Sequence, residues 1–98
     1  MTDSSSDLHT RAEEVRNLIA GDQVEQAIKR LMDFTDDFAN GEQRREVIIV
    51  SASYTRIEKL ERQVKLSIEE AMRLRNNILY QALELLDSVQ KSPTVKAA

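Results

Sequence analysis

Apolar residues recur along the chain at the three-and-four spacing of amphipathic helices in four successive stretches. From Asp7, the positions Leu8, Ala12, Val15 and Ile19, flanked by Leu18, share a face, and Gly21 follows as a residue suited to close the helix at C′. Asp22 reads as the opening of a second helix, with Glu25 three residues on to complete a capping box. The inward face of that helix is Val24, Ala27, Ile28, Leu31, Phe34, Thr35 and Phe38, with Met32 at its margin. Asn40-Gly41 is expected to stop it by tolerance of positive φ. The third stretch runs from Glu42 to about Lys65. Its β-branched and aromatic residues, Val47 to Val50 and then Ser53-Tyr54-Thr55, would suit a short strand. Against a strand, Val50, Tyr54, Ile57 and Val64 share one helical face flanked by Val47 and Leu60, no turn residue interrupts the stretch, and a lone strand has no partner. A helix is therefore expected, and a β-sheet between positions 47 and 57 would overturn it. In the fourth stretch Ser67 precedes Glu70 by three residues, a second capping box, and Ile68, Ala71, Met72, Ile78, Leu79, Ala82, Leu83, Leu86 and Val89 follow at helical spacing. Leu74 and Leu85 widen that stripe to about half the helix circumference, enough for two neighbours, or for one neighbour and a partner protein. Ser92-Pro93 ends it.

Two glycines and one proline in 98 residues cannot supply the turns that an all-β domain needs every 8–12 residues or so. The expected fold is all-α: a small antiparallel four-helix bundle built from two helical hairpins, joined by short connections of about two to four residues. In this reading residues 1–6 form a disordered lead, 7–90 a single helical domain and 91–98 a flexible tail.

Charge and composition narrow the function classes. Lysine plus arginine number 14 and aspartate plus glutamate 17, a formal charge of −3, which argues against a broad nucleic-acid face. There is no cysteine, so disulfides, thiolate metal sites and a cysteine nucleophile are excluded together. The longest apolar run, Val47 to Val50, is far too short to span a bilayer, and the polar, acidic N-terminus is the reverse of a signal peptide. A cytoplasmic protein is expected.

Little in the chain points to catalysis. The one histidine, His9, sits in the first turn of the first helix, and Ser51 and Ser53 lie in Ser-Ala-Ser rather than in a nucleophile elbow. They read as small residues where helices approach closely. Asp33, Asp36 and Asp37 lack the alternating spacing of a calcium loop and read as a solvated helix end. Negative charge at a helix C-terminus is mildly unfavourable; a compensating partner would account for it, and so would ordinary surface tolerance. The two glycines lie too far apart to cradle a phosphate. No catalytic residue, cofactor or metal is assigned.

Arg75 falls near the middle of the apolar arc of the fourth helix, at about 100° per residue, between Met72 and Leu79. A charge there must be paired or must reach out to water. Glu58 and Glu61 lie opposite it if the hairpin turns near Leu66, and either would fix the hairpin register; the other possibility is that Arg75 faces a groove and meets another chain. Two surfaces are candidates for association. One is the acidic end of the second helix (Asp33, Asp36, Asp37) with the basic start of the third (Arg44, Arg45), which could dock head to tail. The other is the broad face of the fourth helix, at Leu74, Tyr80 and Leu85.

The ordered set Leu18-Ile19-Ala20-Gly21-Asp22, Ala27-Ile28, Leu31, Ser51-Ala52-Ser53-Tyr54, Arg56, Leu60-Glu61-Arg62, Ser67-Ile68-Glu69-Glu70-Ala71, Arg75-Asn76-Asn77-Ile78 and Ala82-Leu83-Glu84-Leu85-Leu86-Asp87 resembles the bacterial effector-associated domain family, type 11. Members of that family usually carry a glycine shortly before the serine that opens the last helix, where this chain has Gln63-Val64-Lys65-Leu66; a tighter turn or a longer third helix is the expected consequence. The resemblance implies a small helical adaptor of bacterial conflict and immunity systems, associating with like domains on an effector or sensor, with a homo-oligomer as a further option. Such a chain is a free-standing adaptor or an excerpt of a longer protein. The competing reading is a tetratricopeptide-like scaffold or structural oligomerisation module: Leu18-x-x-Gly21 with Ala27 and Leu31 fits part of that repeat, but the second hairpin does not restate it.

Overall fold

Four helices and no strand make up residues 4–94, the part of the chain that the computed structural model describes. They are α1 (Ser4–Ala20), α2 (Val24–Phe38), α3 (Gly41–Arg62) and α4 (Ile68–Lys91). The chain between Val47 and Tyr54, where a strand was conceivable, is continuous helix. Consecutive helices pack as neighbours, α1 also reaches α4, and α2 touches all three others, whereas α1 and α3 lie diagonally apart. The fold is an all-α four-helix bundle.

Packing follows the apolar pattern most closely in α2. Its buried residues are Val24, Ala27, Ile28, Leu31, Phe34, Thr35 and Phe38, because a helix surrounded on three sides must bury its entire apolar arc. Phe34, Leu31, Val15, Leu86 and Val89 form the most enclosed part of the core, with Phe34 and Phe38 tilted against each other at 5.4 Å between ring centres. Among the described residues Thr35 is the single buried polar one, and its hydroxyl donates to the Met32 carbonyl at 3.0 Å. Among the described residues no buried side-chain nitrogen or oxygen lacks a partner.

The boundaries differ from expectation where turn chemistry is decided by neighbours. α1 starts at Ser4, so residues 4–6 of the expected lead are helical, and residues 1–3 lie outside the described residues. Asp22, not Gly21, takes the left-handed conformation after α1 (φ 59°). The Gln23 amide bonds the Leu18 carbonyl at 2.8 Å and the Asp22 amide that of Ile19 at 3.0 Å, the pair of bonds that defines a Schellman motif. Asp22 is thus spent closing α1, and α2 opens at Gln23 without a side-chain cap. Asn40-Gly41 also works differently. Neither residue has positive φ; Asn40 caps α3, accepting from the Gln43 amide at 2.8 Å while the Gln43 side chain accepts from the Asn40 amide at 3.0 Å. Half of the expected capping box on α4 is present: the Ser67 hydroxyl accepts from the Glu70 amide at 3.1 Å, but the Glu70 carboxylate accepts from that hydroxyl, at 3.1 Å, rather than from the Ser67 amide.

The turn without glycine spans five residues and closes through a valine. α3 ends at Arg62, and Gln63 to Ser67 connect it to α4, with Val64 in the left-handed region at φ 57°. The Lys65 amide bonds the Leu60 carbonyl at 2.9 Å and the Val64 amide that of Glu61 at 3.0 Å, a second Schellman motif with valine in the place that favours glycine. With 22 and 24 residues, α3 and α4 are about 33 and 36 Å long, against about 26 and 23 Å for α1 and α2. Their turn end therefore reaches past the start of α2. That overhang leaves Ile68 and Met72 exposed although both lie on the apolar side of α4, and it leaves Val64, read as part of the α3 face, 88% exposed. At the opposite end, the Thr94 amide donates to the Phe38 carbonyl at 2.6 Å, tying the start of the tail to the end of α2; residues 95–98 of that tail lie outside the described residues.

Candidate interaction surface

Three clusters of polar residues hold the helices in register, and each removes side chains from the surface available to a partner. The first joins α3 to α4. Arg75 donates to Glu61 at 2.5 Å, with both side chains half-buried. The hydrogen bond to Glu61 holds the guanidinium charged beyond its ordinary range, against the opposing effect of burial. Beside it, burial first and a hydrogen bond to Glu58 second push the Tyr54 hydroxyl up to about 12. Glu61 is thus the partner of Arg75, and Glu58 serves Tyr54. The arrangement has the form of a structural clamp.

The second cluster sits where α2 gives way to α3. Asp37 accepts from Arg11 of α1 at 2.5 Å, and the same guanidinium lies 5.4 Å from the centre of the Phe38 ring. Arg44 turns inward along the chain and donates to the carbonyls of Asp36 at 2.9 Å and Thr35 at 3.4 Å, satisfying the last turn of α2. These two cations compensate the acidic helix end. They also take Asp37 and Arg44 into internal contacts, leaving Asp33 and Asp36 as exposed carboxylates, while among the described residues Arg45 donates only to the Gly41 carbonyl at 3.4 Å. The third cluster joins α1 to α4: Arg16 donates to Asp87 at 2.6 Å and to Gln90, and Gln90 also lies 3.0 Å from His9. Nearby, Gln43 donates to the Ser88 hydroxyl at 3.0 Å and fixes the start of α3 to the end of α4.

The apolar candidates on α4 separate. Leu85 is only 4% exposed and belongs to the core, because it projects from α4 toward Val50 rather than outward; it is withdrawn from the surface. Leu74 is half-buried and packs on the core. Tyr80, 70% exposed, faces solvent. The structure adds two residues that the sequence pattern places only within a conceivable strand. Ile48 and Ile49 are 56% and 62% exposed on the outside of α3. The signal was present in the sequence: once Val47 and Val50 face inward on a helix, the two residues between them are turned about 100° and 200° away. Ile49 also borders a shallow groove between α3 and α4, lined by Glu46, Val50, Gln81, Glu84 and Ser88. Among the described residues no set of three histidine, aspartate or glutamate side chains is placed to hold a metal, and no helix is long and apolar enough to cross a membrane.

A family model described as effector-associated domain 11 matches residues 10–90. The chain belongs to that family. The match covers all of α2, α3 and most of α1 and α4, so the whole bundle is the effector-associated domain rather than a part of it. No curated protein and no solved structure matches the chain. The effector-associated domain is an accessory module of effector proteins, which agrees with a bundle whose polar residues are engaged in holding helices together.

Proposed function

We propose that this effector-associated domain is a protein–protein interaction adaptor of a bacterial conflict or immunity system, and that it associates with like helical domains to recruit or cluster an effector. The observation that carries the reading is the exposed apolar surface of the α3–α4 hairpin, Ile48, Ile49 and Tyr80, on a domain whose core is already closed. Apolar side chains left outside a satisfied core are what a partner covers. With Asp37 and Arg44 engaged internally, head-to-tail docking retains only Asp33, Asp36 and Arg45, and it becomes the weaker of the two docking modes. The role is binding, not bond-making. A tetratricopeptide-like scaffold is less well supported, because α3 and α4 are longer than α1 and α2 and the two hairpins are not copies of one unit.

Calorimetric titration of the chain with the type 11 module of an effector protein tests this, at low and at high salt. Apolar docking on the α3–α4 hairpin predicts saturable binding that holds or strengthens as salt rises. Binding that fades with salt would return the contact to the charged end of α2. No heat and no complex at either salt would contradict the adaptor reading.

A further inference from the structure

Glu42, Ile49 and Arg56 are spaced by seven residues, so they fall on one stripe of α3, about 20° apart per step. All three are exposed, and among the described residues neither Glu42 nor Arg56 takes part in an ion pair. The stripe is therefore an acid, an apolar residue and a base at equal intervals. Such a pattern is complementary to itself when reversed. If α3 of one copy lies antiparallel against α3 of another with Ile49 on the two-fold axis, Glu42 of each copy meets Arg56 of the other. The flanking positions agree: Arg45 falls opposite Ser53 and Glu46 opposite Ala52, so each long side chain faces a small one and the helices can approach closely. In this register Ile48 and Ile49 form the apolar centre, with the two ion pairs at its ends.

From this juxtaposition we infer that the outer stripe of α3 is a two-fold docking surface and that its occupant is a second copy of this chain. The inference rests on the adaptor reading and names the partner and the register for the α3 side of that surface. The contact is isologous, so it closes at a dimer and leaves Tyr80 and the α4 surface open. One helix stripe on each side covers less than the roughly 800 Å² per partner of a standard interface, so the dimer is expected to dissociate in the range of about 10–100 μM.

Sedimentation equilibrium of the whole chain over about 1 μM to 1 mM tests it. Each substitution counts twice across the two-fold axis, so Glu42→Arg and Arg56→Glu, made singly, are each expected to weaken dimerisation about tenfold or more. The double variant E42R/R56E restores the opposite-charge pairs and is expected to recover the wild-type constant within about threefold. Circular dichroism and thermal melting verify that all three variants fold. If the chain dimerises but ignores the single reversals, or if the double variant fails to recover, the α3 register is wrong. A chain that stays monomeric at 1 mM overturns the second copy as occupant; the titration with an effector-borne module then still decides the adaptor reading, because it measures a different complex.

Discussion

Val64 places a branched Cβ at a φ of 57°, in the solvent-exposed turn between α3 and α4. The left-handed region costs an L-residue about 1–2 kcal/mol, and glycine, which escapes that cost, carries about 0.5–1 kcal/mol of extra chain entropy in the unfolded state. Val64→Gly should therefore stabilise the domain by about 1 kcal/mol and raise its midpoint by about 4 °C. A melting curve that falls would show that the valine is held there by contacts. Tyr54 makes a second prediction at this scale. Its hydroxyl is raised to about 12, so the stabilising effect of keeping it neutral is complete below its ordinary value of 10 and is lost as pH climbs toward 12. In a Tyr80→Phe variant Tyr54 is the sole tyrosine, and its ultraviolet titration should centre near 12. A midpoint at 10 would mean that the Glu58 contact and the burial do not persist in solution.

Between elements, the half-buried Arg75–Glu61 pair sets how α4 lies on α3. A double-mutant cycle of Arg75→Met and Glu61→Gln should yield a coupling of about 1 kcal/mol, with the double variant hardly less stable than either single one. Strict additivity would show that the pair does not form. Unchanged stability of Arg75→Met together with lost binding to a partner would instead make Arg75 part of an interface. That pair was legible because a charge in the centre of an apolar arc has to be answered, and the helical register opposite offered only two carboxylates. The choice between Glu58 and Glu61 was not legible, since it depends on a five-residue turn whose geometry Val64 sets. Caps divided the same way. Ser67 has no competing use and caps α4, although Glu70 answers its hydroxyl and not its amide, whereas Asp22 was drawn into closing α1 and Asn40 into opening α3. Short polar residues at a junction serve whichever helix offers the better bonds.

For the whole molecule, the number, order and inward faces of the helices follow from apolar periodicity, and α2 shows it residue by residue. What periodicity does not carry is relative helix length in space. The overhang of the α3–α4 hairpin decides that Ile68 and Met72 stay exposed, and the position of α4 against α3 decides that Leu85 is core while Tyr80 is not. On the surface left after these decisions Ile48, Ile49 and Tyr80 are exposed, Ile49 at the edge of the shallow groove, and the proposed association is expected there. Amide chemical-shift mapping of the isotope-labelled chain, kept below the concentration at which it dimerises, on addition of an unlabelled effector-borne type 11 module tests that placement most directly. Shifts gathered on Ile48, Ile49, Ala52 and Tyr80, with α1 silent, are the expected result. Shifts gathered instead around Asp33 and Asp36, or a spectrum unmoved at saturating partner, would contradict it.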